Sequence, residues 1–154
     1  MNESKANQRQ IGGTHYKTSY EHWDFVRDAG LRYLDGCATK YLARWRKKDG
    51  RKDLEKALHY VDKMREEVYA PTSAPYFQQH TARCAERFAD VNELTLEERA
   101  CLLLICEKTE QSLTQANILI RLLLDDSATA DGVTREDTTG QDHPFGYQAE
   151  KEAP

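Results

Sequence analysis

Residues 96–124 limit the possible folds of this chain more than any other stretch. Thr95 and Glu98 stand three apart ahead of an apolar run, the spacing of a capping box, and predict a helix from Leu96 to about Lys108. After a short polar interruption, Leu113 to Leu124 continues with Ile118, Leu119, Ile120, Leu122, Leu123 and Leu124. These side chains fall on nearly every side of a helical wheel, whereas a helix lying on a surface needs one apolar stripe. A second face must therefore be covered, either by the first half of the chain or by another copy, and the excess of apolar surface favours self-association through residues 96–124. With 154 residues there is room for one compact domain and a tail, which excludes two separately cored domains.

The remainder reads as helices and connections, with no pattern for a sheet or a repeat. Ser19 is a candidate N-cap for a short helix through Glu21, Trp23, Phe25 and Val26 that Gly30 ends. A second helix is expected from near Asp35 to about Lys48, stopped by Asp49-Gly50. The third, from about Lys52 to Val68, carries Leu54, Ala57, Leu58, Val61, Met64 and Val68 at three- and four-residue spacings. Ala70-Pro71-Thr72-Ser73-Ala74-Pro75 breaks it, and residues 76–92 predict a further helix. The expected class is all-α: an N-terminal arm (1–20), a small helical domain (21–69), a linker (70–75), an apolar helical assembly region (76–126) and a disordered acidic tail (127–154).

A net charge of -4 conceals a segregation of sign. Residues 1–69 carry 15 Lys+Arg against 11 Asp+Glu, residues 70–124 carry 5 against 7, and residues 125–154 carry 2 against 8. A neutral average would argue against polyanion recognition, but a locally basic half leaves it open. Met1 to Gln10 has no apolar core of the kind a signal peptide needs, and Cys101 to Cys106, the longest apolar run, is too short to span a bilayer, so the expected location is the cytoplasm. Cys37, Cys84, Cys101 and Cys106 lack the close paired spacing of zinc or redox sites and are expected to be buried free thiols.

The chemistry concentrates in residues 36–60. On the second helix Leu34, Cys37, Tyr41 and Trp45 share one side, and Lys40, Arg44 and Lys47 line up beside them. Residues 40–56 hold eight Lys+Arg against three acids. Like charges at helical-neighbour spacing repel, so the stripe calls for a counter-charge: Asp53 and Glu55, or a bound phosphate. Tyr60 stands with Lys56 on the polar side of the third helix, and the arm adds Gly12-Gly13-Thr14-His15-Tyr16-Lys17, residue types that suit an anion or a base. Trp23 and Trp45 have apolar neighbours at helical spacing and are expected in the core. No P-loop, His-Glu-x-x-His element or nucleophilic triad occurs.

His15-Tyr16, Trp23-Asp24-Phe25, Gly30-Leu31, Gly36-Cys37-Ala38-Thr39-Lys40-Tyr41-Leu42-Ala43-Arg44 and Asp53-Leu54-Glu55-Lys56-Ala57-Leu58-His59-Tyr60 together resemble the SaV-like phage proteins, small helical proteins often labelled phage nucleotide kinases. The resemblance covers about residues 12–67. It implies phosphoryl transfer from ATP to a nucleoside monophosphate without a P-loop, in the cytoplasm of a phage-infected host. His15 and Asp53 are then the catalytic candidates. Tyr16, Lys17, Lys40, Tyr41, Arg44, Lys47, Lys56 and Tyr60 are the nucleotide- and phosphate-binding candidates, and Asp53 the candidate ligand for Mg2+. Phosphoryl transfer depends on positioning and charge neutralisation, which a cationic stripe can supply. Two other functions fit the same residues: a non-catalytic protein that binds or sequesters a nucleotide or signalling nucleotide against host defence, and, less favoured, a nucleic-acid-binding basic helix pair.

Overall fold

A computed structural model of the chain describes residues 18–67 and 75–130, with side chains for all of these except 75–77 and 130. Six α-helices follow in order: α1 (His22–Asp28), α2 (Tyr33–Arg44), α3 (Arg51–Glu66), α4 (Pro75–Val91), α5 (Leu96–Glu107) and α6 (Glu110–Ala130). A single 3-10 turn, Trp45–Lys47, extends α2. Among the described residues there is no strand, and no helix is long and apolar enough to cross a membrane. The all-α class is as expected.

One core runs through both halves of the chain. Helices α2 and α3 pack as an antiparallel pair, α6 lies against α3 and α5, and α4 packs on α5 and α1. Leu42, Leu54, Ala57, Val61 and Met64 from the first half are fully buried with Leu102, Ile105, Ala116 and Ile120 from the second. Phe25 of α1 stacks on Phe88 of α4 with ring centroids 4.6 Å apart, which joins the shortest helix to the core. The second face of the apolar stretch is thus covered largely by α3. What stays outward is Leu96 at the start of α5 and a narrow stripe on α6, Ile118 and Leu122, each 53% exposed.

Local chemistry explains the boundaries. Thr95 caps α5 as expected: its hydroxyl accepts from Glu98 N–H while the Glu98 carboxylate accepts from Thr95 N–H at 2.8 Å. Thr109 and Ser112 exchange the same pair of bonds ahead of α6, so this helix opens at Glu110, three residues before the expected start. It also runs to Ala130, through the first residues assigned to the acidic tail; residues 131–154 lie outside the described residues. Gly30 and Gly50 take positive φ (63° and 54°) after α1 and before α3, where an L side chain is strained. Helix α1 begins at His22 with Glu21, not Ser19, at its N-cap.

Helix α2 is rotated from the expected orientation. Asp35, Ala38, Thr39 and Leu42 are buried, while Leu34, Tyr41 and Trp45 flank the core. The reason is that α2 is gripped between α3 and α5. Buried carboxylates at both ends of α2 help to fasten the halves. Asp35, wholly buried, meets the ammonium of Lys108, itself 5% exposed; Asp35 Oδ1 has no hydrogen-bond partner among the described residues. At the other end of α2, buried Glu98 accepts from Trp45 Nε1 at 2.6 Å and from Arg46 Nε and Nη2 at 2.8 Å. Trp45 is therefore part-buried through a polar bond, and Trp23, expected in the core, is 50% exposed.

Candidate anion-binding surface

The basic stripe is placed by the 3-10 turn. Because α2 tightens at Trp45, Lys47 swings toward the end of α4, where its ammonium donates to the Asn92 carbonyl at 3.1 Å. A cation at a helix C-terminus is favourably placed against the carbonyls there. Lys40, Arg44 and Lys47 consequently line one narrow cleft with His22, Phe88 and Asn92. The cleft is small, about 20 Å³, so it can seat a water or the edge of an oxyanion and not a whole nucleotide.

His22 forms its neutral wall. Thr39 Oγ1 donates to the Asp35 carbonyl at 2.9 Å and so accepts from His22, whose Nε2 lies 3.0 Å away and must carry the hydrogen. Burial, followed by the charges of Lys40 and Arg44, lowers the His22 pKa to about 3. The imidazole adds no positive charge to the cleft near neutrality. The cations at the cleft are Lys40, Arg44 and Lys47, of which Arg44 is paired with Asp53.

Arg44 also faces α3. Its Nε and Nη2 donate to Asp53 Oδ2 and Oδ1 at 2.9 and 3.0 Å, a bidentate pair in which the carboxylate is fully buried. Lys56 Nζ adds a third contact to Asp53 Oδ1 at 3.4 Å, and Asp49 Oδ2 stands 3.7 Å from Lys56 and 3.9 Å from Arg44. Burial alone would raise the Asp53 pKa, but the hydrogen bonds and charges of Arg44 and Lys56 outweigh it and hold the carboxyl below its ordinary value. Both Asp53 oxygens are occupied by cations. Among the described residues no group of three or more His, Cys, Asp and Glu side chains is placed to hold a metal.

An aromatic run continues from Arg44. Its guanidinium carbon lies 4.7 Å from the Tyr41 ring centroid, and Lys56 Nζ 5.1 Å from the same centroid. Tyr41 stacks on Tyr60 (5.8 Å, 13° between planes), and Tyr33 meets Tyr60 edge-on at 6.3 Å. Hydrogen bonding with Tyr33, then burial and the neighbouring Cys37, push the Tyr60 phenol well above its usual pKa. Tyr33 is 75% exposed and forms the open end of the run.

Seven of the ten sequence-predicted site residues are thus brought to two adjoining surfaces. Lys40, Arg44 and Lys47 line the cleft, Asp53 and Lys56 form its buried counter-charge network, and Tyr41 and Tyr60 stack beside it. His15, Tyr16 and Lys17 lie outside the described residues. Reading the sequence missed His22, Tyr33 and the Asn92 carbonyl. A histidine four residues before Val26 has no motif of its own, and the other two depend on contacts between elements. A family model for a protein of unknown function, DUF3310, matches residues 12–62, about a third of the chain, and this stretch carries every cleft and stack residue except Phe88 and Asn92. No curated protein and no solved structure matches the chain.

Proposed function

We propose that the chain binds a nucleotide, or a similar phosphate ester of a flat aromatic group, and holds it without turning it over. The observation that carries this reading is the double position of Arg44, which lines the cationic cleft with Lys40 and Lys47 and abuts the Tyr41–Tyr60–Tyr33 run. An anionic group at the mouth of the cleft leaves its aromatic part beside exposed tyrosine, where stacking contributes about 1–3 kcal/mol per base. The burial of Asp53 supports binding over catalysis: its oxygens face Arg44 and Lys56, so neither is presented to a phosphate or an attacking hydroxyl.

Titration calorimetry with nucleoside mono-, di- and triphosphates, alongside product analysis with ATP and Mg2+, tests this. Binding weakened about tenfold by Lys40→Ala or Tyr33→Ala, with no diphosphate formed, is the expected result. Diphosphate production that depends on Lys40 would replace this reading with a monophosphate kinase. Tighter binding of oligonucleotides, lost steeply with salt, would replace it with nucleic-acid recognition. Self-association, expected from residues 96–124, narrows to a proposal about the outward Ile118 and Leu122.

A further inference from the structure

On the opposite side of α4 from the core, an open hollow of about 550 Å³ is lined by Tyr20, Asp28, His80, Arg83, Cys84 and Arg87. Cys84 Sγ lies 3.7 Å from His80 Nε2, one helical turn away. The same Nε2 is 3.0 Å from the backbone carbonyl of Asp28, the last residue of α1. A carbonyl can only accept, so Nε2 bears the hydrogen and offers it to oxygen and sulfur together. Tyr20 closes one wall: its hydroxyl donates to Asp28 Oδ2 at 3.2 Å, and the Arg87 guanidinium lies over its ring at 4.3 Å. Burial, then the neighbouring Cys84 and Asp28, raise the Tyr20 phenol far above its usual pKa, so it stays a neutral donor.

The other thiols have different settings. Cys101 is fully buried and its Sγ contacts the Ala116 carbonyl; burial pushes it far up. Cys106 is buried and pushed up to about 12, again chiefly by burial. Cys37 is half-buried beside Tyr60. Thiols react as thiolates, in partly exposed places where cations and hydrogen-bond donors surround the sulfur.

We propose that Cys84 is the reactive thiol of this chain and a site of thiol–disulfide exchange with a small anionic disulfide, which Arg83 and Arg87 attract to the hollow. The Cys84 proton leaves to solvent, and the His80 Nε2–H donates to the resulting thiolate. Sγ then attacks one sulfur of the disulfide. A new S–S bond forms to Cys84, the old S–S bond breaks, and the second sulfur departs with the bonding pair as a thiolate; the disulfide is the oxidant. The groups facing Sγ are Tyr20 from the segment before α1, Asp28 from α1, His80, Arg83 and Arg87 from α4, and Cys106 from α5.

The test exposes the folded full-length chain to dithiobis(nitrobenzoate), an anionic disulfide, and to dithiodipyridine, a neutral one, with quenched peptide mapping by mass spectrometry. Cys84 should be labelled first by both, about tenfold or more faster than Cys37. Arg83→Gln/Arg87→Gln should slow the anionic reagent about fivefold while leaving the neutral one within about twofold. His80→Ala, which removes the Nε2–H donor, should slow both. Initial labelling at Cys37, or equal slowing of the two reagents by the arginine substitutions in a variant of unchanged circular dichroism, would overturn the proposal.

Discussion

Removing the Asp53 carboxylate separates a structural role for this residue from a chemical one. In Asp53→Ala the Arg44 side chain, 10% exposed, loses a bidentate partner, with Asp49 at 3.9 Å and the Tyr41 ring still beside it, while Lys56 remains nearby with no buried acid between them. Breaking a buried pair by deleting one partner costs about 3–5 kcal/mol, and the surviving Asp49 contact places this case near the lower end, about 3 kcal/mol. With a urea dependence of about 1.5 kcal/mol per molar, the unfolding midpoint should fall by about 2 M. Replacing both partners with apolar residues, Arg44→Met/Asp53→Leu, should recover most of the loss, because no charge is then stranded. The pair also carries a pH signature: a carboxyl held below its ordinary value adds stability that is complete above about pH 4 and is lost as pH falls through the folded-state pKa. Denaturant curves followed by circular dichroism at pH 7 and pH 3 measure both effects. A midpoint shift under about 0.5 M, with nucleotide binding or turnover abolished, would refute the structural reading and return Asp53 to the chemistry.

Other consequences are as direct. Since the folded pKa of His22 is about 3, the unfolded chain binds one more proton below about pH 6.5, and stability should decline toward acid by at most about 1.4 kcal/mol per pH unit; His22→Gln should flatten that slope in a pH series of denaturant midpoints. Trp45→Phe removes the indole donor to buried Glu98 and should cost about 1–3 kcal/mol, and Thr95→Ala, through the α5 cap, about 1 kcal/mol, both read by thermal unfolding. If α6 mediates self-association, Ile118→Ser/Leu122→Ser should shift sedimentation toward a smaller species with little change in melting temperature, since both side chains are half-exposed.

How far the sequence could be read depended on the range of the interactions. The α3 face and the Thr95 cap are written in residues three or four apart, and both stand where the pattern puts them, the face from Leu54 to Met64; Val68 lies outside the described residues. The stripe Lys40, Arg44 and Lys47 was equally legible as a set, and so was Asp53 as a counter-charge to it; what was not legible is that Arg44 takes both oxygens of a buried Asp53 and that Lys47 turns to a carbonyl 45 residues on. Glu98 shows why. As a capping-box glutamate it is a local signal, but the same carboxylate also binds Trp45 and Arg46, and nothing in its neighbourhood announces partners more than 50 residues away. The rotation of α2 has the same origin, because a helix enclosed by neighbours can bury Asp35 and Thr39 once another element supplies their bonds.

Lys108 ends α5 in the left-handed conformation, at φ 60°, where helices commonly place glycine. Anyone improving this corner by local statistics would choose Lys108→Gly and relieve about 1–2 kcal/mol of backbone strain. The same exchange would strand the Asp35 carboxylate inside the protein, a loss of about 3–5 kcal/mol. The corner is therefore a place where turn grammar and charge balance give opposite instructions. A variant library at position 108 should retain cations against the glycine that the turn alone would select.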